Sequence, residues 1–154
     1  MEFKVAVNDQ PPRRLVGLKV RTTMADAPKD APLLWERFGP RMPEASGIKD
    51  SQGSYAPCVM IDEQSLYYWA TVEAPADRPL PEGMEVFLLP AGAYAGIALP
   101  TLAELGAAYT YLYGEWPGTQ AEYAVDTRAP CYEYYPPNWT PNGSLEVCVP
   151  VSRK

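Results

Sequence analysis

The same order of elements is predicted twice along this chain, once on each side of a proline-rich connector. The connector, PADRPLPEGM, spans residues 75–84. On its N-terminal side the alternating run RRLVGLKVRTTM precedes a helical segment around LLWERF and two strands, YAPCVMID and SLYYWATVEA. On its C-terminal side the strand EVFLLPAGAYAGIAL precedes the helical segment TLAELGAAYTYLYGEW and two strands, CYEYY and SLEVCVPV. This order constrains the chain to a duplicated fold.

The duplication predicts an α+β fold made of two strand–helix–strand–strand repeats related by a pseudo-twofold axis. We expect a single domain over residues 1–154, with the first repeat at about 1–75 and the second at about 83–154. An amphipathic helix buries its apolar side against a sheet. We therefore predict antiparallel sheets with the helices on one side and a central ligand cleft where the repeats meet.

The content of histidine and cysteine limits the chemistry that this chain can perform. The chain has no histidine, which excludes Ser–His and Cys–His nucleophile systems and removes the commonest metal ligand. Its three cysteines, Cys58, Cys131 and Cys148, form no Cys-x-x-Cys pair. We expect no metal and no cofactor, and we identify no catalytic residue. The three cysteines are predicted to be free thiols packed as small apolar side chains.

Charge and hydropathy restrict the partners and the location of the protein. The net charge is −6, and the 13 basic residues are scattered along the chain, so direct nucleic-acid binding is not expected. No apolar run approaches the ~20 residues that a membrane helix needs. The N-terminal stretch MEFKVAVNDQ lacks the pattern of a signal peptide. We therefore predict a cytoplasmic protein with no membrane contact, whose oligomeric state the sequence leaves open.

The segment CYEYY places a carboxylate among tyrosines inside a predicted strand. Strands disfavour Glu, and a buried carboxylate is costly unless another group compensates its charge. Side chains alternate along a strand, so Glu133 and Tyr135 share one face while Tyr132 and Tyr134 share the other. We expect the two tyrosines to pack beneath the helices, which leaves Glu133 on the concave cleft face. The alternative is that Glu133 points outward into water.

The segment LYYWATV offers aromatic residues for the same cleft. Tyr67 and Trp69 share one strand face, and the smaller side chains of Ala70 and Val72 on the other face suit packing under a helix. We therefore predict Tyr67 and Trp69 as cleft residues, against the alternative that Trp69 is ordinary core. Tyr94, flanked by small residues in AGAYAG, is the third aromatic candidate. Aromatic rings around one carboxylate suit a delocalised organic cation.

Taken together, these segments resemble the GyrI-like small-molecule-binding family, which includes the effector-binding domains of multidrug-responsive transcription regulators. The resemblance covers nearly the whole chain and is carried by RRLVGLKVRT, LWERF, EVFLLPAGAYAGI, LYGEW, APCYEYY and LEVCVPV. It implies the duplicated fold and a central cleft that takes lipophilic, often cationic aromatic compounds. It also implies that Glu133 supplies the negative charge there. Where many members have His and Gly before the second helix, this chain reads IALPTLAEL.

The resemblance implies a stand-alone small-molecule-binding protein, with Glu133, Trp69, Tyr67, Tyr94 and Tyr135 as ligand-binding residues. We find no segment for the helix-turn-helix that regulators of this family carry. One alternative is a GyrI-like hydrolase that opens reactive cyclopropane compounds, with Glu133 and a tyrosine activating water. Another is an interaction protein that resembles a gyrase inhibitor. Binding is preferred to catalysis because the sequence offers no convincing second carboxylate for the cleft.

Overall fold

The computed structural model describes residues 3–154 and shows an α+β architecture. Its strands are β1 (Ala6–Gln10), β2 (Arg13–Thr23), β3 (Ser54–Met60), β4 (Ser65–Glu73), β5 (Glu85–Leu89), β6 (Gly92–Leu99), β7 (Tyr123–Val125), β8 (Cys131–Tyr135) and β9 (Leu145–Arg153). Its α-helices are α1 (Ala27–Phe38), α2 (Met42–Ser46) and α3 (Leu105–Thr110). In this part of the chain, no helix is long and apolar enough to span a membrane.

The strands form an antiparallel sheet in the order β1-β6-β9-β8-β3-β4-β2-β5, with β7 added beside β9. Each half of the chain contributes one block of three neighbouring strands, β2, β3 and β4 from the first half and β6, β8 and β9 from the second. The blocks meet where β3 pairs with β8, from Ser54 opposite Tyr135 to Cys58 opposite Cys131. The predicted α+β fold with antiparallel strands and two helical segments is confirmed, and the two blocks join into one continuous sheet.

The two edge strands are exchanged between the halves. Strand β1 pairs with β6 of the second half, and β5 pairs with β2 of the first half. The run predicted as one interrupted strand, EVFLLPAGAYAGIAL, is therefore two strands at opposite ends of the sheet. Pro90 cannot donate a backbone hydrogen bond and Gly92 has φ 146°, so the chain turns between β5 and β6. The N-terminal strand β1, at Ala6–Gln10, forms the edge of the sheet beside β6.

The helical segments pack on separate parts of the sheet. Helix α1 lies on β2 and β4 and buries Leu34 and Phe38, whereas α3 lies on β9. The second helical segment is irregular: α3 follows a 3₁₀ turn and leads into a π-helical turn over Tyr111–Glu115. Gly106 and Gly114 explain why no regular helix forms, because glycine is a poor helix former. The central strands β3 and β8 lie between the two helical segments.

The sheet has two buried faces of different composition. We call the side on which α1 and α3 pack the helix face, and its core includes Phe38, Tyr68, Leu112, Trp116 and Tyr135. The opposite side is the rear face, which carries a smaller buried cluster of Leu15, Tyr55, Leu89, Tyr94, Tyr132 and Cys148. The distinction between these faces decides which of the predicted site residues lie together.

Candidate functional site

Glu133 is a buried carboxylate near the middle of the sheet. It lies on β8 and is 3% exposed. Its two carboxylate oxygens accept hydrogen bonds from two phenol groups, Tyr109 Oη at 2.6 Å and Tyr135 Oη at 2.5 Å. Tyr109 comes from α3 and Tyr135 from β8 itself. The carboxylate is thus held by neutral hydroxyl donors on the helix face, which excludes the alternative that it points into water.

The register of three strands establishes that Glu133 belongs to the helix face. Cys58 on β3 lies opposite Tyr68 on β4 and also opposite Cys131 on β8. Residues directly opposite in neighbouring strands point to the same side of a sheet, and Glu133 is two residues from Cys131. Tyr68 belongs to the core beneath the helices, so Glu133 does as well.

The predicted alternation within β8 is confirmed, but the side assigned to the helices is wrong. We expected Tyr132 and Tyr134 beneath the helices and Glu133 on a face without helices. Instead, Tyr132 and Tyr134 pack on the rear face against Tyr55, with ring centroids 6.0 and 5.0 Å away. The reason is that α1 packs on β2 and β4 and α3 packs on β9, which leaves the junction strand β8 between them. The junction strand β8 can therefore carry a polar residue between the helices on the helix face.

Aromatic rings on the helix face surround the Glu133 carboxylate. Tyr135 makes edge contacts with Trp35 of α1, at 5.8 Å between ring centroids, and with Trp139, at 4.7 Å. Trp35 donates its indole N–H to Tyr68 Oη at 2.9 Å. We call Glu133, Tyr135 and these partners, Trp35, Tyr68, Tyr109 and Trp139, the Glu133 cluster. The cluster combines one carboxylate with rings from both halves of the chain.

Tyr67 and Trp69 do not belong to the Glu133 cluster. They alternate with Tyr68 and Ala70 along β4, so they lie on the rear face. There the Nζ atom of Lys19 lies 4.6 Å from the ring centroid of Tyr67 and 5.4 Å from that of Trp69. Trp69 also packs edge-on against Phe87, at 5.1 Å. The prediction that these two rings share a face with Glu133 is wrong, and a cation of the chain itself already occupies their surface.

Tyr94 is likewise separated from Glu133. Its ring packs edge-on against Tyr132 of the rear face, at 5.2 Å between centroids, and its hydroxyl donates to the Pro90 carbonyl at 2.7 Å. Of the five predicted ligand-binding residues, the structure therefore brings together Glu133 and Tyr135. The prediction that Tyr94 joins them is wrong, because the alternation along β6 directs Tyr94 to the rear face beside Leu15 and Cys148.

Sequence reasoning missed three members of the cluster: Trp35, Tyr68 and Tyr109. For Tyr109 a signal was present, since it lies in the predicted helical segment TLAELGAAYTYLYGEW. For Tyr68 the signal was its position in β4, because it lies on the same side of the strand as Ala70 and Val72, which were correctly assigned to the helix side. Glu133, however, was assigned to the opposite side of the sheet. Tyr68 was therefore taken as core, and its contact with the cluster was not anticipated.

Electrostatics distinguishes Glu133 from the other carboxylates. Burial raises the pKa of Glu133 above its usual value, and the hydrogen bonds from Tyr109 and Tyr135 oppose part of this rise. Within residues 3–154, no lysine or arginine forms a salt bridge with Glu133. Burial, together with the neighbouring charge of Glu133, raises the pKa of Tyr109 and Tyr135, so both phenols stay protonated as donors. The cluster therefore contains a buried carboxyl group that forms no salt bridge with a cation of the described chain.

The cluster is closed in this structure and offers no metal site. A surface cavity of about 250 Å³ is lined by Arg14, Glu73, Ala74 and Pro75, none of which belongs to the Glu133 cluster. Among the described residues, no group of three or more potential ligands from Cys, Asp and Glu could hold a metal ion. A ligand that reaches Glu133 must therefore displace side chains that now cover it.

Sequence comparisons match this chain to effector-binding proteins. A family model described as an integron-associated effector binding protein, Cass2, matches residues 7–151. The transcriptional regulator BrlR of Pseudomonas aeruginosa is 34% identical over 77% of this chain. The aligned region is 45% of BrlR, so the chain spans less than half the length of that curated relative.

Solved structures confirm the fold. The integron cassette protein VCH_CASS2, from the mobile metagenome of Vibrio cholerae, superposes with a TM-score of 0.69 at 16% identity and covers 97% of both chains. SAV2435, solved with bound tetraphenylphosphonium, superposes with a TM-score of 0.75 at 16% identity, over 99% of this chain and 94% of that one. Both share the architecture described above.

Proposed function

Because the chain belongs to the integron-associated effector-binding protein family, with the GyrI-like fold, we propose that its effector is a lipophilic aromatic cation bound at the Glu133 cluster. The family establishes the coarse role of an effector-binding domain. The finer proposal concerns the charge of the ligand and the residues that bind it. One observation carries the proposal: Glu133 is a buried carboxylate held by two phenols, without a cationic partner among the described residues.

The Glu133 carboxylate is costly to bury in its ionised form. An ionised carboxylate out of water is unfavourable unless an opposite charge or several hydrogen bonds compensate it. Two phenol donors compensate only part of this cost, because the pKa of Glu133 stays raised. A ligand cation supplies the missing charge. In a site shielded from water, such a charge interaction is stronger than it is on the surface.

The rings of the cluster suit the shape of an aromatic ligand. Trp35, Tyr135 and Trp139 form a continuous series of edge contacts beside the carboxylate. Aromatic stacking and cation–π contacts each contribute about 0.5–2 kcal/mol when desolvated. Tetraphenylphosphonium, the compound bound to the structural neighbour SAV2435, combines a delocalised cation with four aromatic rings, which supports this ligand class.

Entry of a ligand requires the cover of the cluster to move. Tyr109 lies on α3, which is six residues long and continues into the π-helical turn, and Trp139 lies in the loop after β8. Short irregular helices and loops are displaced at lower cost than regular packed elements. We propose that a ligand displaces the Tyr109 hydroxyl and the Trp139 ring, while β8 keeps Glu133 in place.

Because BrlR is a transcriptional regulator, we further propose that ligand occupancy serves a regulatory output.

The proposal predicts that cation binding weakens as the pH is lowered. Glu133 attracts a cation only when ionised, and burial raises its pKa. Affinity for tetraphenylphosphonium should therefore be full above this raised pKa and should fall as the pH decreases through it. The fall should begin at a higher pH than the ordinary Glu pKa of about 4.3 would give. Calorimetric titration across a pH series measures this dependence.

The matched control is a neutral aromatic ligand such as triphenylphosphine oxide, whose affinity should vary little over the same range. Near the pKa of Glu133, binding of the cation should also release protons, because the cation favours the ionised carboxylate. Titrations in buffers of different ionisation enthalpy detect that release. If affinity for the cation stays constant down to the onset of acid unfolding, and no proton is released, Glu133 is not the counter-charge.

A further inference from the structure

Two of the three cysteines lie face to face across the junction between the halves. Cys58 on β3 is directly opposite Cys131 on β8, on the helix face. The third, Cys148, is buried in the rear-face cluster. Because residues directly opposite in neighbouring strands point to the same side, the two thiols are neighbours on the helix face. The sequence positions 58 and 131 gave no indication of this pairing, which depends on the β3–β8 register.

The backbone between these cysteines has a defined spacing. Pro57, next to Cys58, pairs with Tyr132 and has no N–H to donate. Pro57 must therefore occupy a non-hydrogen-bonded position of this antiparallel pair, and the next position, Cys58 with Cys131, is hydrogen-bonded. In such a pair the Cα atoms are about 5.5 Å apart. Both cysteines point to the same side and keep part of their surface exposed. One small atom can therefore bridge the two sulfurs without a change in strand pairing.

We propose that Cys58 and Cys131 form a dithiol site that binds trivalent arsenicals covalently, with one arsenic atom bridging the two sulfurs. Soft thiolate ligands prefer soft, thiophilic centres. Within the described residues no third ligand accompanies the pair, which favours a centre that needs only two protein sulfurs. This inference rests on the thiol pair alone and is independent of the charge preference proposed for Glu133.

The reaction balances without an oxidant or a reductant. Phenylarsine oxide hydrates to a compound with two As–OH groups. Each cysteine sulfur forms one As–S bond while one As–O bond breaks, and each thiol proton leaves with hydroxide as water. The arsenic stays trivalent, and two water molecules are released for each arsenical bound.

The neighbouring side chains determine which of the two thiols reacts first. The neighbouring Cys58 thiol lowers the pKa of Cys131 despite its burial, and the Tyr113 hydroxyl acts in the same direction. The same pair interaction, together with burial, raises the pKa of Cys58. Since the thiolate is the nucleophile, Cys131 forms the first As–S bond and Cys58 closes the bridge. The aryl group then lies beside Tyr109 and Tyr113, whose rings stack with centroids 6.4 Å apart.

The test uses phenylarsine oxide with the reduced full-length chain, followed by intact mass measurement and thiol titration after denaturation. We expect one arsenical per chain and the loss of two of the three thiols. The adduct should resist excess monothiol and should be reversed by a competing dithiol such as 2,3-dimercaptopropanol. An adduct that a monothiol removes, or one that consumes a single thiol, overturns the proposal.

Variants separate the pair from the third cysteine. Cys58→Ser and Cys131→Ser should each abolish the monothiol-resistant adduct, whereas Cys148→Ser should keep it. Peptide mapping of the wild-type protein gives the same answer without any variant. The arsenical should protect Cys58 and Cys131, but not Cys148, from alkylation after unfolding. Retention of the resistant adduct in a folded Cys58→Ser protein contradicts the proposal. Glu133→Gln should retain the adduct, so failure of the cation-binding proposal leaves this one testable.

Discussion

Replacing Glu133 with glutamine should weaken binding of tetraphenylphosphonium about tenfold or more. The substitution keeps the size of the side chain and removes its charge. A tenfold loss corresponds to about 1.4 kcal/mol, near the lower end of the ~1.5–3 kcal/mol expected for a hydrogen bond or contact to a charged group. Calorimetric titration of the variant and the wild type at one pH, above the pKa of Glu133, measures the difference.

The matched control for this prediction is Glu146→Gln. Glu146 lies on the neighbouring strand β9, opposite Tyr134, and is exposed. The control changes the net charge by the same amount without touching the Glu133 cluster, so its affinity for the cation should stay close to that of the wild type. Equal losses in both variants would point to a general effect of net charge.

Stability gives a second readout for Glu133→Gln. Because burial raises the pKa of Glu133, ionisation of this group opposes folding at every pH above that pKa. Below the pKa of the unfolded chain the carboxyl is neutral in both states, and this cost is absent. At neutral pH the variant should therefore be as stable as the wild type or more stable. A weaker cation affinity in a protein of unchanged stability identifies a binding residue.

The second large effect is expected at Gly17, where β2 approaches β4 too closely for any side chain. A Cβ atom added there would lie 1.9 Å from the backbone oxygen of Ala70 and 2.8 Å from Cα of Thr71. These are backbone atoms, so neither can rotate away, and the strands must separate. Gly17→Ala should lower the free energy of unfolding by about 3 kcal/mol, at the upper end of the range for overpacking. Urea denaturation followed by circular dichroism measures the loss.

Gly96→Ala is the control for Gly17→Ala. Gly96 lies on β6, which holds in the second block the place that β2 holds in the first. A Cβ atom there would lie 3.4 Å from Cys148 Sγ, an ordinary contact. The control should therefore cost much less than Gly17→Ala. Similar losses in the two variants would show that the loss of strand glycine itself, and not the contact with Ala70, determines the effect.

Local sequence patterns predicted the elements and the alternation within each strand. The structure shows the strands β3 and β4, the helix around LLWERF and the alternation of side chains along β8 as expected. These features depend on residues near one another in the chain. The segment CYEYY itself singled out Glu133, and the family resemblance assigned to it the negative charge of the cleft.

Long-range pairing explains what local patterns could not predict. Tyr68 and Glu133 share a face of the sheet because Cys58 lies opposite both Tyr68 and Cys131. This relation depends on the register of three strands, which local patterns do not contain. Without that register, Ala70 and Val72 were correctly placed beneath a helix while Glu133 was assigned to the opposite side. The exchange of β1 and β5 between the halves is also a pairing between distant segments. The aromatic residues Tyr67, Trp69 and Tyr94 were consequently grouped with Glu133, although they lie on the opposite face of the sheet.

On the rear face, the rings of Tyr67 and Trp69 already contact a cation from the chain itself. Lys19 lies over both rings and forms an ion pair with Glu85 at 3.3 Å. Glu133 presents the opposite situation, with its carboxylate beside rings but without a cation from the described chain. The contrast supports Glu133 as the place where an external cation binds.

A crystal structure of the protein with tetraphenylphosphonium would locate the bound cation. We expect the phosphonium on the helix face between α1 and α3, beside the Glu133 carboxylate, with Tyr109 or Trp139 displaced. A cation on the rear face against Tyr67 and Trp69, or in the cavity at Arg14, while Glu133 keeps its hydrogen bonds to Tyr109 and Tyr135, would contradict the proposed binding site.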